Sequence, residues 1–354
     1  MAKLSHEEAV AAFTLRRPLF DAFANELKHL VGGLLKASAM RVQVVEARAK
    51  TLESFREKIA RSGKNYDDPL SDLPDLCGCR IITYYGDEVG KISELIKNEF
   101  DVIEEEASHQ PDQLEADRFG YLSMHYVVKL KAARSDLAEW RSYKDLHAEI
   151  QIRTVIQHAW SAVSHTLQYK QETSIPSALR RRLFRIAGLF ELADEEFVGI
   201  RDQRARLERS TAEKLSKGER SIPLTSVALT QFITQWDRGE DVEAAAAAAG
   251  FDVVDEIDPD NMVISELYDL ATRNGIVTIA DLENAISPPQ TNIFGAIYAN
   301  LGEPWDVSLD FLILLLLIAR YPASATEEWL TASEWAAEMK TALLAAIKEQ
   351  ENGG

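Results

Sequence analysis

The 354-residue chain reads as an α+β domain, a small mixed sheet flanked by helices, followed by an all-α C-terminal domain. Three observations predict this. Strand-like apolar runs alternate with helical stretches through the first half. Beyond about residue 224 only helical periodicities remain. The charge also changes abruptly: residues 219–354 hold 23 acidic and 6 basic residues, net −17, whereas the residues before them hold 34 and 33, net −1. This step coincides with the polar, aperiodic segment KGERSIP at 217–223. The domains are therefore taken as residues 1–216 and 224–354, with 217–223 as linker.

In chain order, residues 5–35 set Val10, Phe13, Leu15, Phe20, Phe23, Leu27 and Leu30 at helical spacing and lead into a second helical stretch to about residue 62. Strand-like runs follow at 79–85, 100–106, 123–131 and 147–153, with a helix at 87–99 between the first two. Residues 154–169 read as a helix. Pro176 opens a long one to about residue 215, proline being favourable in a first turn. In the second domain, residues 226–236, 243–249, 261–274, 279–286, 309–320 and 327–349 read as helices, the alanine-rich one closed by a glycine cap at Gly250.

Composition narrows the class. An apolar fraction of 46% is that of a globular protein with a real core. MAKLSHEEAVAA at the start has two glutamates where a leader would be apolar. The longest apolar run, FLILLLLIA at 311–319, is far short of the roughly 20 residues that cross a bilayer. A soluble, cytoplasmic protein with no membrane partner is expected. The acidity of the second domain opposes a grip on nucleic acid there, and no DNA partner is expected. Cys77 and Cys79, two apart on one predicted strand, are read as small buried residues rather than a disulfide or a zinc site, and fit a reducing compartment.

Four blocks carry the chemistry. In DLHAEIQIRTVIQHAWSAVSHTLQYK (145–170), period 2 puts His147, Glu149, Gln151 and Arg153 on one strand face and Ala148, Ile150 and Ile152 on the other. A carboxylate beside an arginine on a rigid element suits metal-dependent phosphoryl-type transfer: the acid holds Mg²⁺ or takes a hydroxyl proton, and the cation balances phosphate charge. The same pattern also occurs on an ordinary half-solvated strand. In YDDPLSDLPDLCGCRIITYY (66–85), Asp75 stands just before an apolar run containing Arg80. FGYLSMHYVV (119–128) alternates Tyr121, Ser123 and His125 on one face; Gly120 lets the backbone approach a ligand, and Tyr121 offers a ring for stacking. RAKTLESFREK (48–58) spaces Lys50, Ser54 and Lys58 at i, i+4, i+8, one stripe if helical, able to run beside a triphosphate with Arg48 at its start. The interleaved Glu46, Glu53 and Glu57 equally fit a solvated helix laced with salt bridges.

In this order the blocks resemble the synthetase domain of the RelA/SpoT family, the enzymes that make the alarmones ppGpp and pppGpp. The matching patterns are R-x-K-x-x-x-S-x-x-x-K, D-L-x-G-x-R, G-Y-x-S-x-H, and E-I-Q-I-R-T before a helix ending in Y-K, and the resemblance covers about residues 38–200. It implies a nucleotidyltransferase-like fold and a GTP diphosphokinase that moves pyrophosphate from ATP to the 3′-hydroxyl of GDP or GTP. Arg48, Lys50, Ser54, Lys58 and Arg80 would bind ATP. Asp75 and Glu149 would hold Mg²⁺, and Glu149 would also activate the hydroxyl. Arg118, Gly120, Tyr121, Ser123, His125, Gln151 and Arg153 would bind the acceptor nucleotide.

The chain departs from the family before Tyr121. Asp117, Arg118 and Phe119 stand where Lys-Pro-Asn is expected, and Leu122 replaces the usual Arg or Gln; Arg118 restores one positive charge. Two alternatives follow: a toxin that pyrophosphorylates tRNA 3′ ends, restrained by the acidic domain, and a catalytically silent nucleotide-binding regulator. A homo-oligomer is compatible with either. His158 and His165 share a helix face with Tyr169 and are read as supports of the site rather than metal ligands. The chain has no His-Asp dipeptide, the core of the family's hydrolase motif, so alarmone hydrolysis is not expected.

Overall fold

The computed structural model describes residues 4–61, 66–108, 123–168, 177–254, 263–333 and 335–353. It divides into two compact units, Met1–Arg201 and Asp202–Gly354, and the division falls within one long helix.

The first unit opens with α1 (His6–Ala37), whose start is fixed by a reciprocal capping box between Ser5 and Glu8. Then come β1 (Val44–Ala49), α2 (Leu52–Ile59), α3 (Pro69–Asp72), β2 (Cys77–Thr83), α4 (Gly86–Glu99), β3 (Phe100–Ser108), β4 (Ser123–Leu130), α5 (Ala132–Ser135), β5 (Ala148–Thr154), α6 (Val155–Gln168) and α7 (Ser177–Ser216). The strands form one mixed sheet in the order β1-β2-β5-β4-β3. Only β2 and β5 run parallel; the other neighbours are antiparallel.

Period 2 sorts this sheet into a dry face and a chemical face. Ala49, Cys77, Cys79, Ile81, Tyr126, Val128, Ala148, Ile150 and Ile152 are buried in one core with Phe13, Phe23 and Leu27 of α1, Phe55 of α2, and Ile92 and Ile96 of α4. Phe13 stacks on Phe55 with ring centroids 4.2 Å apart, which pins α2 to α1. Burial pushes the Cys79 thiol up to about 12, and Cys77 is raised further. Both are inert core residues, as their strand position predicts.

One expectation is corrected here. The second helical stretch is confined to Leu52–Ile59: α1 ends at Ala37, Ala39 takes a left-handed backbone with φ of 53°, and 44–49 is an edge strand paired antiparallel with β2. Val45, Ala47 and Ala49 alternate with Glu46 and Arg48, a short period-2 pattern built on small residues. Antiparallel pairing with β2 overrides the helical spacing of the flanking sequence.

The second unit is helical: α8 (Ser226–Ile233), α9 (Gly239–Ala249), α10 (Ile264–Arg273), α11 (Ile279–Ala285), α12 (Asn292–Leu301), α13 (Leu309–Arg320), α14 (Glu327–Ala332) and α15 (Ala337–Gly353). A two-residue parallel pair, β6 (Asp252–Val253) with β7 (Asp306–Val307), is the exception. Gly250 caps α9 at φ 114°, and a side chain there would run into the Tyr298 ring. α13 is buried on all sides, which accounts for its unbroken apolar run. No helix of the described residues is long and apolar enough to cross a membrane. The single helix expected at 327–349 is divided into α14 and α15, with Trp329 and Trp335 meeting edge to face at 5.7 Å across the break. α12 lies where no helix was expected: Ile293, Phe294 and Ile297 are buried, but Gly295 interrupts the sequence signal.

Candidate active site

Strand register assembles the chemical face row by row. Arg48 stands opposite Gly78, Gly78 opposite Glu149, and Glu149 opposite Val127. The adjoining row is Glu46, Arg80, Gln151 and His125. Beyond it, Ile82 faces Arg153. Gly78 therefore sits between a cation and a carboxylate, and its missing side chain leaves the middle of the face open. A cavity of about 570 Å³ occupies that space, lined by Arg48, Lys50, Ser54, Asp75, Arg80, Glu149 and Gln151 among others.

The helical stripe expected of Lys50, Ser54 and Lys58 does not form. Arg48 ends on β1, Lys50 lies in the turn after it, and α2 begins only at Leu52, capped by the Thr51 side chain. The turn nevertheless brings the residues together by another route. Lys50 Nζ and Lys58 Nζ both donate to Asp75 Oδ2, at 2.5 and 2.6 Å. Asp75 itself precedes β2 by two residues, so the start of the central strand carries the acid to both lysines. Burial pushes its carboxyl up, and the two ammonium groups outweigh that, leaving it below its ordinary value. Asp75 Oδ1 is buried and accepts no hydrogen bond among the described residues.

Glu149 is held from the other side. Its Oε1 accepts from Gln151 Nε2 at 3.2 Å and lies 2.9 Å from His125 Nδ1. Burial raises this carboxyl, but the hydrogen bonds from His125 and Gln151 prevail over burial and over the nearby charge of Asp75, and the net shift is downward. Both acids are thus ionised at neutral pH. Arg153, only 6% exposed, donates to Gln151 Oε1 and to Ser161 Oγ of α6. Burial, and next the charge of Arg80, push its guanidinium down to about 10. The same two arginines, after burial, depress His158 on α6. Two guanidiniums on one sheet face are suited to an anion.

Of the predicted site residues, Arg48, Lys50, Ser54, Asp75, Arg80, Glu149 and Gln151 line one cavity, with Lys58 joined through Asp75. Ser123 and His125 lie on β4 behind Glu149: Ser123 Oγ is 2.9 Å from His125 Nε2. Arg118, Gly120, Tyr121 and Tyr169 lie outside the described residues, as does the side chain of His165. Sequence reading missed Lys28 of α1, Glu46 and Thr51, all of which line the cavity. Lys28 has no local motif to mark it. Thr51 is legible as a helix cap, and Glu46 shares strand parity with Arg48.

Similarity to known proteins is confined to the first half of the chain. Residues 47–174 match the region found in RelA / SpoT proteins. The chain is 28% identical over 165 residues to GTP pyrophosphokinase YjbM of Bacillus subtilis (strain 168), covering 46% of this chain and 73% of that protein. It is 24% identical over 165 residues to GTP pyrophosphokinase YwaC of the same organism, covering 46% and 75%. Among solved structures, a GTP pyrophosphokinase family protein from Streptococcus pneumoniae is 29% identical, with a TM-score of 0.44, covering 52% of this chain and 90% of that one. The matched region runs from β1 through the end of α6 and contains every cavity-lining residue of β1, α2, β2 and β5 named above, except Glu46, one residue before its start. Over residues 47–174 the chain is similar to the RelA/SpoT family.

Proposed function

We propose that the first unit transfers the β,γ-pyrophosphate of ATP to the 3′-hydroxyl of GDP or GTP, making ppGpp or pppGpp and releasing AMP. The observation that carries this reading is the pairing of two ionised carboxylates, Asp75 and Glu149, on one cavity lined by Arg48, Lys50 and Arg80, with Lys58 joined through Asp75. The names of the relatives YjbM and YwaC, both GTP pyrophosphokinases, point to the same reaction class.

Each residue has a distinct task. Lys50 and Lys58 each retain donors beyond the one given to Asp75, since an ammonium has three, and these receive the triphosphate. The Ser54 hydroxyl and the start of α2 add neutral donors at the same wall. Arg80 and Arg153 gain from a polyanion that relieves their mutual repulsion. The hydroxyl oxygen of the acceptor attacks the β-phosphorus, the bond from that phosphorus to the oxygen bridging to the α-phosphate breaks, and AMP departs. The hydroxyl proton passes to Glu149, because an uncharged hydroxyl is a poor nucleophile toward a shielded phosphorus.

Asp75 and Glu149 are the residues that would hold Mg²⁺, which when bound neutralises phosphate charge. The orphaned, buried Asp75 Oδ1 fits that role. Two carboxylates also suit an ion that draws its remaining ligands from water and substrate phosphates.

Purified protein incubated with ATP and GDP, GTP or tRNA tests the proposal by the products formed. GDP- or GTP-dependent release of AMP, abolished in Glu149→Ala, is expected. AMP release that requires tRNA, or none with any acceptor, would overturn it.

A further inference from the structure

Glu149 has two oxygens, and the structure treats them differently. Oε1 accepts from Gln151 Nε2 and lies 2.9 Å from His125 Nδ1, whereas no described residue donates to Oε2. His125 is in turn engaged on its far side, with Nε2 2.9 Å from Ser123 Oγ. Register explains the arrangement. His125 stands directly opposite Gln151 on the antiparallel neighbour of β5, so His125 and Gln151 converge on the same oxygen from two adjacent strands. Ser123 lies two residues before His125 on the same face of β4.

Hydrogen-bonding capacity fixes the proton between His125 and Glu149. An ionised carboxylate only accepts, so the hydrogen between His125 and Glu149 belongs to Nδ1. The Ser123 hydroxyl can either donate to Nε2 or accept from it, so it holds the far side of the ring in both cases. On the near side donation runs from His125 Nδ1 to Glu149 Oε1. Among the described residues that line the cavity, Glu149 and Gln151 are present and His125 is not.

We infer that His125 is a positioning residue: backed by Ser123, it clamps Glu149 Oε1 through Nδ1–H and so turns Oε2 toward the acceptor hydroxyl. This differs from the nucleotide-contacting role that the resemblance implies for His125 and Ser123, and it rests on the transferase reading only for the identity of the hydroxyl. A general base must lie within hydrogen-bond reach of its proton in the reacting pose, and a displacement of about 1 Å in such a group costs on the order of 100-fold in rate. The clamp acts on the turnover step, not on nucleotide affinity.

Two measurements test it. In the full-length protein, ¹⁵N spectra of the imidazoles are expected to show His125 protonated at Nδ1, with that resonance displaced in both Ser123→Ala and Glu149→Ala. A ring bare at Nδ1, or one insensitive to both substitutions, overturns the clamp. In the transfer assay, His125→Ala is expected to lower kcat roughly 100-fold while KM for both nucleotides changes by less than about threefold. His125→Asn, whose amide nitrogen can stand in for Nδ1 as donor, should recover about tenfold of that loss. A rise in acceptor KM with kcat intact would mean that His125 contacts the nucleotide, and would also overturn the clamp. If the wild-type protein transfers nothing, the transferase reading fails while the imidazole spectra still decide the clamp.

Discussion

Asp75→Asn separates the structural duty of this acid from its chemical one. In the wild type one oxygen, Asp75 Oδ2, receives both Lys50 and Lys58 at 2.5 and 2.6 Å, so the two ammonium nitrogens lie no more than about 5 Å apart. At an effective dielectric of about 20 their repulsion at that distance is about 3 kcal/mol. The three side chains are only 14–24% exposed, so solvent screens little of it. Asparagine keeps one acceptor but loses the charge, and the lysines can swing partly apart. A net destabilisation of about 1–3 kcal/mol follows, a fall of several degrees in Tm for a unit of this size.

Nucleotide binding should move the other way. Without divalent metal, ATP has to share the lysines with the Asp75 carboxylate, and in Asp75→Asn it does not. Calorimetric titration is expected to give roughly tenfold tighter metal-free ATP binding in the variant, a gain of about 1.4 kcal/mol. The further tightening that Mg²⁺ brings to the wild type should be absent. Unchanged stability together with unchanged metal-free affinity would refute the claim that Asp75 is the counter-ion of this lysine pair.

Other consequences follow from the same geometry. A Cβ at Gly78 meets only the Arg48 carbonyl oxygen, at 3.9 Å, and Gly78→Val gains strand propensity, so stability should hold or rise by up to about 1 kcal/mol; ATP affinity should nonetheless fall at least about tenfold, and unimpaired binding would exclude this cavity as the nucleotide site. Asp87 is lowered first by its hydrogen bond from Arg201, which reaches both its oxygens at 2.7 and 3.1 Å. Its folded-state pKa being depressed, the stability it adds is complete above its unfolded value near 4 and is lost as pH falls through the folded value. Discounted for exposure this is about 0.5–1 kcal/mol, so urea denaturation from pH 6 to 3 should show a flatter decline for Asp87→Asn than for wild type. Thr154→Val removes the bond from Thr154 Oγ1 to the buried Asp194 at 2.8 Å, which ties α7 to the end of β5. A loss of about 1–2 kcal/mol in chemical denaturation is expected.

Much of this was legible in the sequence because period and motif agreed. The alternation of Glu149, Gln151 and Arg153 against Ile150 and Ile152 settles the orientation of β5 without tertiary information, and the structure keeps it. Asp75 and Glu149 could be nominated separately, but their meeting depends on the parallel pairing of β2 with β5, a contact between segments about 70 residues apart that no local pattern encodes. The stripe of Lys50, Ser54 and Lys58 shows the opposite failure. Helical arithmetic grouped the right residues for the wrong reason, since β1 and a turn, not a helix, deliver Lys50. Lys28 was invisible because its role arises only from the packing of α1 against β1 and β2. The bond from His125 to Glu149 was likewise hidden, since strand register, not spacing, brings them to 2.9 Å.

The fate of the phosphorus atoms tests the central claim most directly. With ATP labelled separately at the α-, β- or γ-phosphate and incubated with GDP or GTP, label from both the β and γ positions should appear together in the guanosine product. The α label should remain in AMP, and no transfer should occur in Glu149→Ala. Transfer of the γ label alone with ADP as the second product, or β and γ label appearing in the product at the wild-type rate in Glu149→Ala, would contradict the account.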